Sequence, residues 1–157
     1  MKTVIIKYNA GNIQSVLFAL NRIGIEAVVT DSPEEIKSAD KVIFPGVGEA
    51  STAMQYLTAR YLDQLIISLK QPVLGICLGM QLMCRHSEEN DTACLGIFDT
   101  PVSKFPSENP TIKVPQIGWN QIHDLKTDLF MDIKPNITIQ TQSYLLRFLF
   151  ITKKIER

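Results

Sequence analysis

Pro72-Val73-Leu74-Gly75-Ile76-Cys77-Leu78-Gly79-Met80-Gln81 is the stretch on which the reading of this chain turns. An apolar run stops abruptly and a helical pattern begins, with Cys77 at the junction. The spacing Gly75-x-Cys77-x-Gly79 is that of a nucleophile elbow, G-x-S-x-G, with sulfur in place of oxygen. At such a corner two backbones approach so closely that a side chain would clash, which calls for the glycines. The bend lifts the nucleophile toward the carboxyl ends of the strands. There it faces the free N–H groups of the next helix, which favour a thiolate and can bind an oxyanion. Cysteine is also among the most buried residue types. The motif by itself therefore divides evenly between chemistry and core packing, and its surroundings tip the balance toward chemistry.

Upstream, Val4-Ile5-Ile6 reads as a first strand, followed by the turn Asn9-Ala10-Gly11-Asn12 with Asn12 as a helix N-cap. Ile13, Val16, Leu17 and Leu20 form the stripe of an amphipathic helix, which Gly24 ends. Ala27-Val28-Val29 is a second strand, and Ser32-Pro33-Glu34-Glu35 opens a short helix through a capping box. Val42-Ile43-Phe44 is a third strand and leads into the tight loop Pro45-Gly46-Val47-Gly48. Ala50, Met54 and Leu57, then Leu62, Leu65, Ile66 and Leu69, predict one interrupted helix or two consecutive ones. This alternation predicts an α/β fold: a flavodoxin-like, doubly wound, mostly parallel sheet with helices on both faces. Sites in such sheets lie outside the carboxyl ends of the strands. The Pro45 loop and Cys77 both follow strands, so they are expected on one edge and on adjacent strands.

Downstream, the elbow helix is expected from Leu78 to about Arg85. His86 to Cys94 reads as polar loop, Leu95-Gly96-Ile97-Phe98 as a short strand, and Pro101 to Pro110 as a surface excursion. Lys113-Val114-Pro115-Gln116-Ile117-Gly118-Trp119-Asn120 is extended and carries the single tryptophan. Leu129-Phe130-Met131 suggests one helical turn. Ile137 to Gln142 alternates like a strand, and the run from Ser143 to Ile151 is nearly all apolar.

The composition narrows the function classes. Lys+Arg and Asp+Glu both number 16 in 157 residues, so no global field recruits nucleic acid or membrane. No run has the apolar length of a membrane span. Cys77, Cys84 and Cys94 are odd in number, which argues against a disulfide framework and for a reducing, cytoplasmic setting. Their spacing does not suit zinc. The Pro45 loop lacks the Lys-Ser/Thr of a nucleotide-binding P-loop. Cys84 and the methionines Met54, Met80 and Met83 read as packing residues.

Four motifs stand together: Tyr8-Asn9-Ala10-Gly11-Asn12, Phe44-Pro45-Gly46-Val47-Gly48, Gly75-Ile76-Cys77-Leu78-Gly79-Met80-Gln81-Leu82, and Lys113 to Asn120. In combination they resemble the class I glutamine amidotransferases, and more narrowly the glutaminase subunits of imidazole glycerol phosphate synthases, of histidine biosynthesis. The resemblance implies that Cys77 attacks the carboxamide carbon of glutamine. It implies that the backbones of Val47, Gly48 and Leu78 line the oxyanion and glutamine pocket, and that Gln81 contacts substrate. The glutamyl thioester is then hydrolysed to glutamate, with no cofactor and no metal. The ammonia passes to a (β/α)8-barrel cyclase subunit of a heterodimer, and Asn12 and Trp119 match regions near that partner. The chemistry agrees independently. An amide is a poor electrophile, so cleaving it needs a strong nucleophile, oxyanion donors and an acid/base, normally a histidine oriented by a carboxylate.

The sequence also departs from the family. A His-Pro-Glu is expected near the C-terminus, whereas this chain has two histidines, His86 and His123. On a continuing helix His86 would be carried roughly 13 Å from Cys77. It reads as a helix-end residue, and His123 as a loop residue. The chain is expected to be one incomplete domain, with residues 1–136 matching the family and 137–157 a divergent tail. An inner strand would then be left as an open edge, with low solubility or dependence on a partner. Two other functions stay open: a remnant or binding module that keeps the nucleophile without the triad His and Glu, and an unrelated cysteine hydrolase.

Overall fold

The structure, a computed structural model, describes residues 1–9, 11–104, 116–121, 133, 138–143 and 151–153. In chain order the elements are β1 (Thr3–Ile6), α1 (Ile13–Arg22), β2 (Ala27–Thr30), α2 (Pro33–Lys37), β3 (Lys41–Phe44), α3 (Ala50–Ala59), α4 (Leu62–Ser68), β4 (Val73–Gly75), α5 (Leu78–Met83) and β5 (Cys84–Ser87). A 3-10 turn at Glu89–Asp91 follows, then β6 (Thr92–Ala93), β7 (Phe98–Val102), β8 (Gln116–Gln121), β9 (Thr138–Ser143) and β10 (Ile151–Lys153). The chain divides into two compact units. One holds Met1–Ser103 together with β10, and the other lies within Lys104–Phe148.

The first unit is built on a five-stranded sheet in the order β10-β4-β3-β1-β2. β2, β1, β3 and β4 are mutually parallel, with Thr3 beside Ala27 and Lys41, and Phe44 beside Gly75. That is the expected doubly wound arrangement. The β1–α1–β2 and β2–α2–β3 connections run in opposite directions along the sheet, so the right-handed rule for parallel crossovers places α1 and α2 on opposite faces, in line with Ile36 of α2 but no α1 residue joining the core cluster. The local reasons are those the sequence offers. Ser32 caps α2 by accepting from the Glu35 N–H, with Pro33 in the first turn. Asn12 caps α1 by accepting from the Ser15 N–H at 3.2 Å. Tyr61, at φ 58°, breaks the run between α3 and α4 into two consecutive helices.

One face of the sheet carries a dense core. Val4, Ile6, Val42, Phe44 and Val73 pack with Ile36 of α2, Leu57 of α3, Leu62 and Ile66 of α4, and Leu78 and Leu82 of α5. Every second strand residue turns to this face, as the two-residue period of a strand requires. No α1 residue belongs to that cluster.

Four expectations are corrected. The elbow helix does not reach Arg85: α5 ends at Met83, and Cys84 is already extended at φ −69°, ψ 174°. The reason is a tertiary competitor for the helix carbonyls. Leu95 N–H donates to the Leu82 carbonyl at 2.8 Å, and Gly96 N–H to that of Cys84 at 2.8 Å. The expected loop from His86 to Cys94 is largely structured, because β5 joins β6 and β7 in a three-stranded sheet. The expected strand at Leu95–Phe98 lies later, beginning at Phe98. The open edge expected on an inner strand is not found at β4, whose outer side carries β10 in antiparallel register, with Ile151 beside Gly75.

In the second unit β8 and β9 pair antiparallel from Gln116 with Ser143 to Gln121 with Thr138. The described parts of both extended segments read from the sequence, from Gln116 and from Thr138, are strands there. His123, the expected helical turn at Leu129-Phe130-Met131 and most of the apolar run from Tyr144 lie outside the described residues.

Candidate active site

The corner after β4 is fixed by contacts that leave no room for a side chain. A Cβ on Gly75 would lie 2.7 Å from the Met83 sulfur and 2.8 Å from the Met80 Cα. A Cβ on Gly79 would overlap the Phe44 carbonyl oxygen outright. Glycine at 75 lets α5 fold back over the end of β4, and glycine at 79 lets it sit directly on the end of β3. Between them Cys77 takes φ 52°, ψ −115°, a conformation that L-residues avoid. Backbone strain of this kind persists where surrounding structure over-determines it, and it clusters at functional sites. The Cys77 side chain is exposed, while Leu78 is 1% exposed.

The adjacent strand supplies the second wall, as expected. Ile76 N–H donates to the Phe44 carbonyl at 3.0 Å, and Leu78 N–H faces the Gly46 carbonyl at 3.4 Å. A Cβ on Gly46 would strike the Tyr8 hydroxyl oxygen and come within 2.8 Å of the Leu78 Cβ. The loop is thus pressed against the start of α5 at Gly46 and then leaves it. Val47 and Gly48 are exposed, and Gly48 has φ +111°. The turn before Asn12 reaches the same place, since a Cβ on Gly11 would be 3.7 Å from the Pro45 ring.

Gln81 lies one helical turn past Cys77, 5% exposed. Its side-chain amide donates to Ser87 Oγ at 2.8 Å and to Glu89 Oε2 at 3.0 Å. The same Glu89 oxygen accepts the Ala50 N–H at 2.9 Å. This network joins α5, β5 and the start of α3 just behind the Val47–Gly48 loop. Glu49 caps α3, accepting from the backbone and hydroxyls of Ser51 and Thr52 and, at 2.6 Å, from Asn90. The hydroxyl bonds of Ser51 and Thr52 hold its carboxyl down to about 2.

The three thiols differ in kind. Cys84 is buried, packing as expected. Burial, and then the neighbouring Cys84 and Glu89, push the Cys94 thiol up to about 11. Cys77 alone is exposed.

Cys77, Leu78, Val47, Gly48 and Gln81 therefore belong to one corner of the first unit. Asn12 caps α1 next to that corner, and Trp119 is 71% exposed on β8 of the second unit. His86 is not at a helix end: it lies on β5, and its Nε2 pairs with Asp91 at 2.8 Å rather than with the thiol. The sequence reading assigned nothing to Tyr8, Ser87 or Glu89. Tyr8 was visible inside a motif already singled out. Glu89 was hidden by the reading of 86–94 as plain polar loop. Among the described residues no cluster of His, Cys, Asp and Glu is arranged to hold a metal, and no helix is long and apolar enough to cross a membrane.

With this geometry in view, known proteins supply the context. The sequence model of the family described as Glutamine amidotransferase class-I matches residues 4–156. The chain is 62% identical over 130 residues to imidazole glycerol phosphate synthase subunit HisH of Bacteroides fragilis, covering 83% of this chain and 66% of that protein. It is 58% identical over 130 residues to the subunit of the same name from Bacteroides thetaiotaomicron, with the same coverage of 83% and 66%. The chain thus spans just under two thirds of the length of these curated relatives. A solved structure titled "Crystal structure of glutamine amidotransferase" superimposes with a TM-score of 0.60 at 19% identity, covering 77% of this chain and 64% of that one. At that identity the likeness speaks to the fold alone.

Proposed function

The chain belongs to the class-I glutamine amidotransferases, and from that premise we propose that it is glutaminase machinery of an imidazole glycerol phosphate synthase. The observation that carries this reading is the strained, exposed Cys77 held against the Pro45–Gly48 loop. The Cys77 thiolate adds to the carboxamide carbon of glutamine, forming a C–S bond and a tetrahedral oxyanion. Collapse breaks the C–N bond, the nitrogen takes a proton, and ammonia leaves. Water then cleaves the thioester, returning the thiol and glutamate.

The oxyanion needs backbone donors about 3 Å away. Leu78 N–H is the first candidate, and it is engaged with the Gly46 carbonyl. Rotation of the Gly46–Val47 peptide would free it and bring the Val47 N–H to the same side. Val47 is exposed and Gly48 has no side chain, so that turn would displace little packing beyond Gly46. Glutamine also carries an α-ammonium group, for which Glu89, whose carboxylate is held by Gln81 and the Ala50 N–H, is the candidate partner. On this reading the ammonia goes to a (β/α)8-barrel cyclase subunit in a heterodimer, with Asn12 and Trp119 toward that partner. The setting is cytoplasmic and the second step is a lyase-type ring closure. Residues 1–157 form a single amidotransferase domain, with 1–136 resembling the glutaminase subunits and 137–157 diverging from them.

Glutamate release from glutamine, measured with and without a barrel cyclase subunit, tests this reading. Release is expected with the subunit present, and none from Cys77→Ala. Trapping of Cys77 by a glutamine analogue without turnover would make the chain a catalytically incomplete module. Neither trapping nor turnover would discard the glutaminase reading.

A further inference from the structure

Tyr8 stands just past the end of β1, beneath the loop that carries the proposed oxyanion donors. Its ring packs on Phe44 with centroids 5.2 Å apart and planes tilted 45°. Its hydroxyl donates to the Pro45 carbonyl at 2.6 Å, and the residue is only 6% exposed. The hydroxyl oxygen also occupies the space that a Gly46 Cβ would need. One peptide further on, the Gly46 carbonyl faces Leu78 N–H, and beyond it Val47 and Gly48 are exposed. The Tyr8 hydroxyl thus holds the root of the loop at Pro45, and the exposed part of the loop begins two residues later at Val47.

We propose that Tyr8 is a positioning residue for oxyanion stabilisation. By fixing the Pro45 carbonyl it makes the Gly46–Val47 peptide turn about a stationary root, so that its N–H arrives beside that of Leu78. Phenylalanine at this position would keep the ring contact with Phe44. It would leave a buried carbonyl without its donor and let the root of the loop shift. Misplacing a reacting constellation by about 1 Å can cost about a hundred-fold in rate, so oxyanion donors on a shifted loop lose part of their value to the transition state. The tie is also insensitive to pH. Burial first, and the charge of the neighbouring Cys77 second, push the Tyr8 phenol well above the ordinary tyrosine range, so it stays protonated wherever the thiolate works. The proposal rests on the reading of Cys77 as the nucleophile, but not on glutamine as its substrate.

Two reagents separate oxyanion stabilisation from plain thiol reactivity. With p-nitrophenyl acetate the thiolate adds to the ester carbonyl through an oxyanion, the C–S bond forms, the C–O bond breaks, and p-nitrophenolate leaves as an anion without needing an acid. With iodoacetamide the thiolate displaces iodide and no oxyanion forms. Both rates are measured at Cys77 on the whole chain, with Cys77→Ala as the blank. In Tyr8→Phe, acylation is expected to fall about ten-fold, less than for outright loss of a donor, while alkylation stays within about two-fold. Tyr8→p-aminophenylalanine keeps a donor and is expected to restore acylation. Equal falls in both rates, no fall in either, or new labelling of buried Cys84 in Tyr8→Phe would overturn the proposal. A wild-type chain whose Cys77 is alkylated but never acylated would overturn it together with the nucleophile reading. Acylation by the ester with neither glutamate release nor trapping by a glutamine analogue would remove only glutamine as substrate and leave the role of Tyr8 standing.

Discussion

The corner at Cys77 and the helix α1 flank the same sheet under opposite degrees of constraint. At the corner, Gly46, Gly75 and Gly79 each exclude a Cβ because backbone or side-chain atoms already fill the space. In α1 no residue is fully buried, although its stripe Ile13, Val16, Leu17 and Leu20 has the right period. Phe18 and Ile23 on that side are 59% and 68% exposed, and Val28 of the neighbouring edge strand is 41% exposed. A glycine motif at a strand–helix junction specifies contacts residue by residue. An amphipathic stripe specifies only that a helix forms and which way it faces.

The largest expected effect contrasts two glycines. Gly79→Ala drives a Cβ into the Phe44 carbonyl. It should cost upward of about 3 kcal/mol, since strand end and helix cannot separate without dismantling the corner. Gly24→Ala, just past α1, meets nothing within 4 Å and strains only its backbone at φ +72°. It should cost about 1–2 kcal/mol. Urea midpoints of the two variants measure the difference, and equal midpoints would erase the distinction between the regions.

A smaller contrast comes from leucines. Leu57→Ala on α3 empties a fully buried position of the dense core and should cost about 2–5 kcal/mol. Leu17→Ala on α1 removes a half-buried side chain and should cost about 1 kcal/mol. Similar losses in urea unfolding would mean that the two faces of the sheet are covered alike.

The smallest contrast lies in the caps and depends on pH. Glu49, capping α3 beside the loop, has its carboxyl lowered from the ordinary 4.5 to about 2 by its hydrogen bonds to Ser51 and Thr52. A carboxyl lowered by folding adds stability above its unfolded value, and that stability is lost as pH falls through the folded one. The advantage of the wild type over Glu49→Gln should be full above pH about 5 and vanish near pH 2. Asn12, capping α1, does not titrate, so the cost of Asn12→Ala should stay flat over the same range. Melting temperatures across pH read both, and a pH-independent Glu49→Gln deficit would count against the cap.

The comparison also shows what the sequence made legible. The parallel strands, the adjacency of the Pro45 loop to Cys77 and the glycine requirement follow from local patterns, and each has its counterpart in a contact. The length of α5 was not legible. Nothing near Arg85 forbids a helix, and its end is set by Leu95 and Gly96, residues far along the chain that take its carbonyls. The partners of β5 were hidden for the same reason, since a strand of Cys84-Arg85-His86-Ser87 has no apolar alternation. The position of β10 against β4 depends on pairing Ile151–Lys153 with Val73–Gly75, strands that no local pattern connects. Within the site, Cys77 announced itself through its spacing. Tyr8 and Glu89 act through partners, Pro45 and Ala50, that no local pattern connects to them.

The central claim is that the thiol at this corner is built to accept an acyl group from glutamine. The direct measurement is covalent trapping of the whole chain by a diazoketone analogue of glutamine, followed by peptide mapping. The account predicts one adduct, on Cys77, with labelling slowed by added glutamine and with Cys84 and Cys94 untouched. Labelling spread over the three thiols, or an adduct on Cys77 that glutamine does not protect, would contradict it.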